Sequence, residues 1–483
     1  MTLEPIGLLT LLAGLFILVR GPDVGIHLLL LATLLGSAAA TNLPAVGNAS
    51  IPPSHLLLLF YIISMANQRG GVATAFEALR FPNAGFWLLL FVVYGVLTAL
   101  LLPRVFAGET DVFSIARSGI KRYGIVTRSL SPTAANITQT VYLLGDFAMF
   151  LAVTVHIMLR GARAVVSGLL LACAVNIGFA LLDVVTFATG TDAVLSVIRN
   201  ANYAILSDAS IAGLKRIVGS FPEASAFGTA TMFLFVFSTE MWLRNRHKML
   251  TSSLAVISFL LLVLSTSSST YFGLGIYAAV FYFRAVAYVI RGDASLRIVL
   301  LVVAAPVAFI VLSSMVMLIP AIWQTIVDLV ERTVSNKLSS HSGIERGNWN
   351  SQGLRVFLDT GFLGAGVGSV RTSSFIVALL ANTGIVGLIT FFAFVSAVVA
   401  SAVRRRASHY GAERASAAWA AVSALPAASV ALSSVDLGLF FFCCAALAAA
   451  SNASVHHAFP AGRDVPRRIG GYHIDTVVNP SRA

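Results

Sequence analysis

Apolar runs of about the length that crosses a hydrocarbon layer of roughly 30 Å as helix recur from one end of this chain to the other, residues 85–102, 249–264 and 298–320 among them. In lipid the backbone N–H and C=O groups of a spanning segment must be satisfied within the protein, so such runs point to a bundle of helices. Composition agrees. Of the 483 residues 58% are hydrophobic and 11% charged, against roughly 25% charged in soluble domains, and the mean hydropathy is +0.88. Length and flanking charge mark about 12–13 transmembrane helices. The expected fold is therefore an all-α polytopic membrane protein, with a single transmembrane domain over residues 1–455 and a flexible cytoplasmic tail over 456–483, which has little apolar content. The first run follows "MTLEP", which lacks the basic stretch of a signal peptide, so it is expected to be retained.

A net charge of +12 raises nucleic acid as a partner, and the placement of the basic residues argues against it. They fall in alternate short connections: Arg20, then Arg69 and Arg80, Arg160 and Arg163, Arg244 with Arg246 and Lys248, Arg291 and Arg297, and Arg404 to Arg406. The connections between, "TNLPAVGNASIPPS", "TSSST" and the one near Asp436, carry no Lys or Arg. That alternation is an orientation signal. It puts the basic loops and the C-terminus in the cytoplasm and the N-terminus outside. No basic stripe is interleaved with exposed aromatics, so no nucleic-acid partner is expected. Cys173, Cys443 and Cys444 have no metal-ligand spacing and read as buried small hydrophobes.

Three outward loops are long and polar, at 104–138, 189–222 and 321–373. Long loops in a compact protein tend to be functional, and they escape the charge rule, so their arginines need another explanation. No internal repeat and no matched pair of Gly/Pro-broken spans points to an inverted-repeat transporter. Within the spans the charged residues are Asp146, Asp183, Glu240 and Arg284. Glu240 and Arg284 lie near span ends, where they are expected to snorkel. Asp146 and Asp183 lie deeper, and an intramembrane carboxylate is costly without a partner.

In the third loop Ile322, Ile326, Leu329, Val330 and Val334 recur at helical spacing, the pattern of an amphipathic helix lying on the membrane. A second helix is predicted over 346–359, closed by Gly361 and Gly364. At roughly 100° per residue Arg346 and Arg355 project from opposite faces of it. Arg346 shares its face with Trp349, Asn350 and Gly353, and Arg371 follows the glycine-rich "GFLGAGVGSV". That run is neither a dinucleotide fingerprint nor a P-loop. Its successive N–H groups are a candidate anion nest. The second loop adds Lys215 and Arg216 ahead of Glu223. Arginine suits phosphate because its planar fork donates two parallel hydrogen bonds, so Arg216, Arg346, Arg355 and Arg371 are candidate diphosphate ligands. No Asp-x-Asp and no His/carboxylate cluster has metal-ligand spacing, and neither metal nor cofactor is expected.

Several stretches resemble the bacterial family of O-antigen ligases and O-antigen or exopolysaccharide polymerases, integral membrane glycosyltransferases. They are "LPRVFAGE" with "SPTAANITQTVYLL", "RIVGSFPEASAFG", "LLVLSTSSSTYFGLGIY" and "ERGNWNSQGLRVFLDTGFLGAGVGSVRTSSFIVALLANTGIVGL". Arg355 and Gly366 fit a spacing of the polymerases. Ser373, Ser374, Gly384 and Gly387 fit the ligase frame, with serine where the ligase histidine belongs, which favours polymerase over ligase. The resemblance implies an inverting, metal-independent transfer of a glycan from undecaprenyl diphosphate to a sugar hydroxyl, in a cavity opening to the periplasm from the bacterial inner membrane. A chain-length regulator and a flippase are the protein partners it implies. It makes Glu223 the first candidate for the base, ahead of His341 and Glu345, and puts His341, Glu345, Trp349, Asn350 and Ser373 toward the sugars. The alternatives are a ligase of the same family and a flippase or transporter of lipid-linked sugars.

Overall fold

The computed structural model describes residues 2–43, 49–118, 122–318 except 204, 208, 209, 212 and 213, and 340–451, together with 323, 324, 327 and 331. The structure is 73% helical, and among the described residues six helices are long and apolar enough to cross a membrane: α5 (Ala84–Val105), α6 (Ala134–Arg160), α7 (Arg163–Thr189), α8 (Ala224–Leu243), α10 (Ser268–Ile290) and α13 (Phe375–Arg404). This is a multi-pass membrane protein. A seventh span results if α3 (Pro53–Ala66) and α4 (Gly71–Ala78), bent by 108°, are one broken helix. The remaining apolar runs form shorter helices, α1 (Pro5–Arg20), α2 (Pro22–Thr33), α9 (Lys248–Leu264), the 296–311 part of α11 (Leu296–Met317) and α15 (Leu439–Ala449). α14 (Gly411–Ala431), rich in alanine and serine, completes the bundle. Among the described residues fewer helices reach full span length than the roughly 12–13 expected, because several apolar runs form helices of 10–17 residues.

α15 shows why. Its eleven residues, "LFFFCCAALAA", are apolar on every side, and a helix of that kind belongs in the middle of a bundle. Phe440, Phe441 and Phe442 are buried there, packed between α6, α13 and α14. Edge-to-face contacts link Phe391 to Phe91 and Phe375 at 5.6 and 5.1 Å between ring centroids. Cys443 and Cys444 are buried free thiols within this packing, and Cys173 is another, as expected.

The mostly helical chain fits the all-α class, and its connections add short strands, of which β1 (Thr2–Leu3), β2 (Thr41–Leu43) and β3 (Ala49–Ile51) pair antiparallel. The first long loop is a β-hairpin, β4 (Asp111–Ser118) against β5 (Arg122–Ser129), in antiparallel register from Asp111↔Ser129 to Ser118↔Arg122. Its β-branched and aromatic residues, Val112, Phe113 and Ile115 on one strand and Tyr123, Ile125, Val126 and Thr127 on the other, are those that fit a pleated surface. In the third loop α12 (His341–Asp359) begins five residues earlier than predicted, because the Ser340 hydroxyl caps it by accepting the Gly343 N–H at 3.2 Å. The predicted surface helix over 322–334 and the tail over 456–483 lie outside the described residues, apart from isolated positions of the former.

The glycine run after α12 docks into a break in α13. Gly384 has φ 61° and ψ −162°, so the Ile385 N–H turns away from Ala381 and donates to Phe362 O at 3.0 Å. Ala381 O and Asn382 O accept instead from Ala365 and Gly366, at 2.8 and 3.0 Å. A Cβ on Gly384 would lie 2.3 Å from Phe362 O, and one on Gly364 would lie 2.7 Å from the Gly384 nitrogen. Two backbones approach here as only glycine permits. The broken helix exchanges its lost hydrogen bonds with the turn.

Candidate functional site

Arg371 leaves this turn held at both ends. Its N–H donates to Phe113 O on β4 at 2.9 Å, its guanidinium stands 5.4 Å over the Trp349 ring, and the following Ser373 N–H is taken by Asn350 Oδ1 at 2.8 Å. Gln352 Nε2 donates to Asp111 O at 2.6 Å, and the Thr110 hydroxyl to Asp359 Oδ2 at 2.7 Å. The hairpin, α12 and the glycine turn are thereby one layer at the head of α13.

Arg216 reaches the same place from the second loop, seven residues ahead of Glu223, the N-cap position of α8. Arg216 and Arg371 each lie within electrostatic reach of both Arg346 and Glu223. Burial, and after it the like charge of Arg346, hold both guanidiniums below the ordinary arginine value. Glu223 acts in the opposite direction on both, joined by Tyr271 at Arg216 and by Glu345 at Arg371. Arginines lowered in this way are still cations at any physiological pH. The Nε–H groups of Arg216 and Arg371 are buried with no hydrogen-bond partner among the described residues. A buried donor of that kind is costly unless something binds it.

Two cavities meet between Arg371 and Glu223. One, of about 340 Å³, is lined by Arg371, Arg128, Ser114, Thr138 and Gln139. The other, of about 350 Å³, is lined by Glu223, Ser225, Thr229 and Asp436. Ser433 and Ser434, in the connection from α14 to α15, belong to both walls. The first residues of α6 line one cavity and those of α8 the other, so two helix N-termini, the positive ends of their dipoles, face this region. One side of the site is cationic and the other carries carboxylates.

Of the two intramembrane aspartates, Asp183 braces this arrangement. Asp183, 1% exposed, accepts from Arg199 Nη2 at 2.6 Å and pairs with Lys215 Nζ at 3.1 Å. It also accepts the N–H groups of Val218 and Gly219 at 2.9 and 3.1 Å. The segment that carries Arg216 is therefore anchored to α7. Asp146, buried in α6, lies within electrostatic reach of Asp436, which accepts the Gly438 N–H at 2.6 Å in the connection whose serines divide the cavities.

Of the residues singled out in the sequence, Arg216, Arg346, Arg371 and Glu223 come together, with Trp349 beneath Arg371. Asn350 and Ser373 hydrogen-bond each other at the edge of this cluster, and Ser373 is buried. Glu345 is exposed but within reach of Arg371. Arg355 is exposed on α12 and takes no part in the charge couplings of Arg216 or Arg371. The side chain of His341 lies outside the described residues. The nest expected of the glycine run is not formed. The N–H groups of Gly364, Ala365, Gly366, Ser369, Val370 and Arg371 are all donated within the fold. Glu240 and Arg284 do not snorkel. Glu240 is fully buried and binds Arg284 at 2.8 Å as well as Arg244.

Sequence reasoning missed Arg128 and Asp436. Arg128 lies on β5, its Nε buried and unpartnered and its charge disfavoured by burial. Its signal was the same as that of the other arginines, a cation in a long polar loop. Among the described residues no group of three His, Cys, Asp or Glu side chains is placed to hold a metal ion. No protein-family model matches the chain, and no curated protein matches it either.

Proposed function

We propose that the protein is a polysaccharide polymerase of the bacterial inner membrane, an inverting glycosyltransferase that moves a glycan from an undecaprenyl-diphosphate-linked repeat unit to a sugar hydroxyl at the periplasmic face, in O-antigen or exopolysaccharide assembly. The observation that carries this reading is the placing of Arg346 and Glu223 within electrostatic reach of both Arg216 and Arg371, from separate stretches of chain, with two guanidinium N–H groups buried and unpartnered and Arg371 lining a cavity. Such a cluster is stable when an anion completes it, and a diphosphate at a membrane surface supplies both the charge and the planar acceptor geometry. The neighbouring cavity, with its carboxylates and hydroxyls, offers the groups that commonly bind sugars.

On this reading the acceptor hydroxyl oxygen attacks the anomeric carbon, and the bond from that carbon to the diphosphate oxygen breaks with its electron pair leaving on the diphosphate. The arginines stabilise the charge that develops there, from fixed positions and without reorganisation. Glu223 takes the hydroxyl proton, a role worth on the order of 10²–10⁴-fold in rate. Its carboxylate is available for this, since it makes no cap to α8 and accepts only from the Ser225 hydroxyl among the described residues.

The test is purified protein in lipid, given undecaprenyl-diphosphate oligosaccharide. A ladder of longer chains with free undecaprenyl diphosphate is the expected result. A single transfer to a different acceptor would favour a ligase, and translocation without transfer would overturn the enzyme reading.

A further inference from the structure

Far from this site the bundle holds a second cluster of arginines. α8 runs twenty residues from Glu223 to Arg244, about 30 Å at 1.5 Å per residue, so Arg244 lies at the opposite membrane face. There α10 and α13 both pack on α14 and leave a cleft of about 280 Å³ between them. Its charged groups are Arg244, Arg284 and Arg406. Its walls are apolar, with Val399, Val403 and Val422 among them.

The charges do not cancel. Glu240, fully buried, is bound by both Arg244 and Arg284, while Arg406 is exposed and its side chain has no partner among the described residues. Three guanidiniums against one carboxylate leave two positive charges in the cleft. Arg284 is held rigid, 3.7 Å over the Trp419 ring. Val399 and Val403 are exposed on one lip, so the cleft opens onto a surface that hydrocarbon chains cover. A soluble anion would meet the arginines and leave the apolar walls bare. A molecule with an anionic head and aliphatic tails matches both.

We propose that this cleft binds an anionic glycerophospholipid, its phosphate held by Arg406 together with Arg244 and Arg284, and an acyl chain lying along α13. The lipid carries the charge that the cleft lacks, and the groups that hold it lie between helices at a membrane face, where basic pockets of this kind take lipid headgroups. It fills the gap between α10 and α13 and ties both to α14.

Trp419 lines the cleft and reports on it. The full-length protein is reconstituted with phosphatidylglycerol or phosphatidylcholine carrying brominated acyl chains. The Trp419 signal is taken as the difference between wild type and Trp419→Phe. Brominated phosphatidylglycerol is expected to quench that signal at a mole fraction on the order of tenfold lower than brominated phosphatidylcholine. Arg406→Gln is expected to abolish the preference, and Arg355→Gln, on the other face, to leave it intact. Equal quenching by the two lipids, or an unchanged preference in Arg406→Gln, overturns the proposal. So does reversal of the quenching by millimolar inorganic phosphate, which would make this a site for a free anion. Native mass spectrometry supplies a second reading that does not depend on Trp419→Phe folding: wild type should retain a phosphatidylglycerol adduct that Arg406→Gln loses, and loss or retention in both contradicts the assignment.

Discussion

Asp183→Asn isolates the cost of the scaffold from the chemistry of the site. Asparagine keeps the volume and an oxygen for the Val218 and Gly219 N–H groups, but removes the charge shared by Arg199 and Lys215. Those two side chains are 8% and 10% exposed and the aspartate 1%, so water cannot replace what is lost. Removing one partner of a buried ion pair costs about 3–5 kcal/mol, most of it from the stranded charge. Here two cations are stranded, and the segment they hold carries Arg216. Unfolding by SDS in mixed micelles should therefore show a loss of about 3–5 kcal/mol. Polymerisation should fall on the order of 10²-fold, as expected of a catalytic group displaced by an ångström. Lys215→Gln in the same chain removes one stranded cation, so the double variant should be less damaged than the sum of the single ones, with a coupling of about 1–3 kcal/mol. If Asp183→Asn unfolds within about 1 kcal/mol of wild type and the two substitutions add, the bracing argument is wrong.

Charge-preserving changes test the arginines themselves. Arg371→Lys and Arg216→Lys keep the charge and lose the fork, and should lower turnover about 10- to 100-fold, whereas Arg355→Lys should stay within about twofold; equal effects in a turnover assay would dissolve the distinction drawn between them. Gly384→Ala places a Cβ 2.3 Å from Phe362 O at a φ of +61° and should cost at least about 3 kcal/mol in SDS unfolding. Gly275→Ala, with nothing within 4 Å, is the control and should be neutral or mildly stabilising.

The membrane class was legible from apolar runs because lipid leaves the backbone few alternatives. The number of full spans was not, since α9 and α15 are as apolar as the long helices and differ only in length. The opposite faces of Arg346 and Arg355 followed from helical rotation, and of the two only Arg346 is coupled to Arg216 and Arg371. The placing of Arg216 and Arg371 around the same Arg346 and Glu223 was a guess from clustering, because 154 positions separate them and no local pattern encodes it. Asp183 illustrates the limit most plainly. Its cost in the membrane announced that a partner must exist, but Arg199 and Lys215 lie beyond the end of α7, on a segment whose return no periodicity marks. The glycine run misled in the other direction, as its N–H groups are consumed by the break in α13, which only the folded chain reveals.

Arg216 and Arg371, each in reach of Arg346, call for a counter-charge, and the protein supplies one. Glu223 is the carboxylate that both Arg216 and Arg371 feel, whereas Glu345 acts on Arg371 alone. An arriving diphosphate brings more charge and a better geometry for the forks, so it should displace Glu223 from the arginines and leave that carboxylate facing the acceptor cavity. Under the proposed function the counter-ion of the arginines would then serve as the base. Glu223→Gln separates the two roles. Without the competing carboxylate, inorganic pyrophosphate should bind at least as tightly as to wild type by calorimetry, while transfer falls on the order of 10²-fold or more. Weaker pyrophosphate binding would mean that Glu223 holds the arginines in place rather than competing for them, and undiminished transfer would remove it from the chemistry.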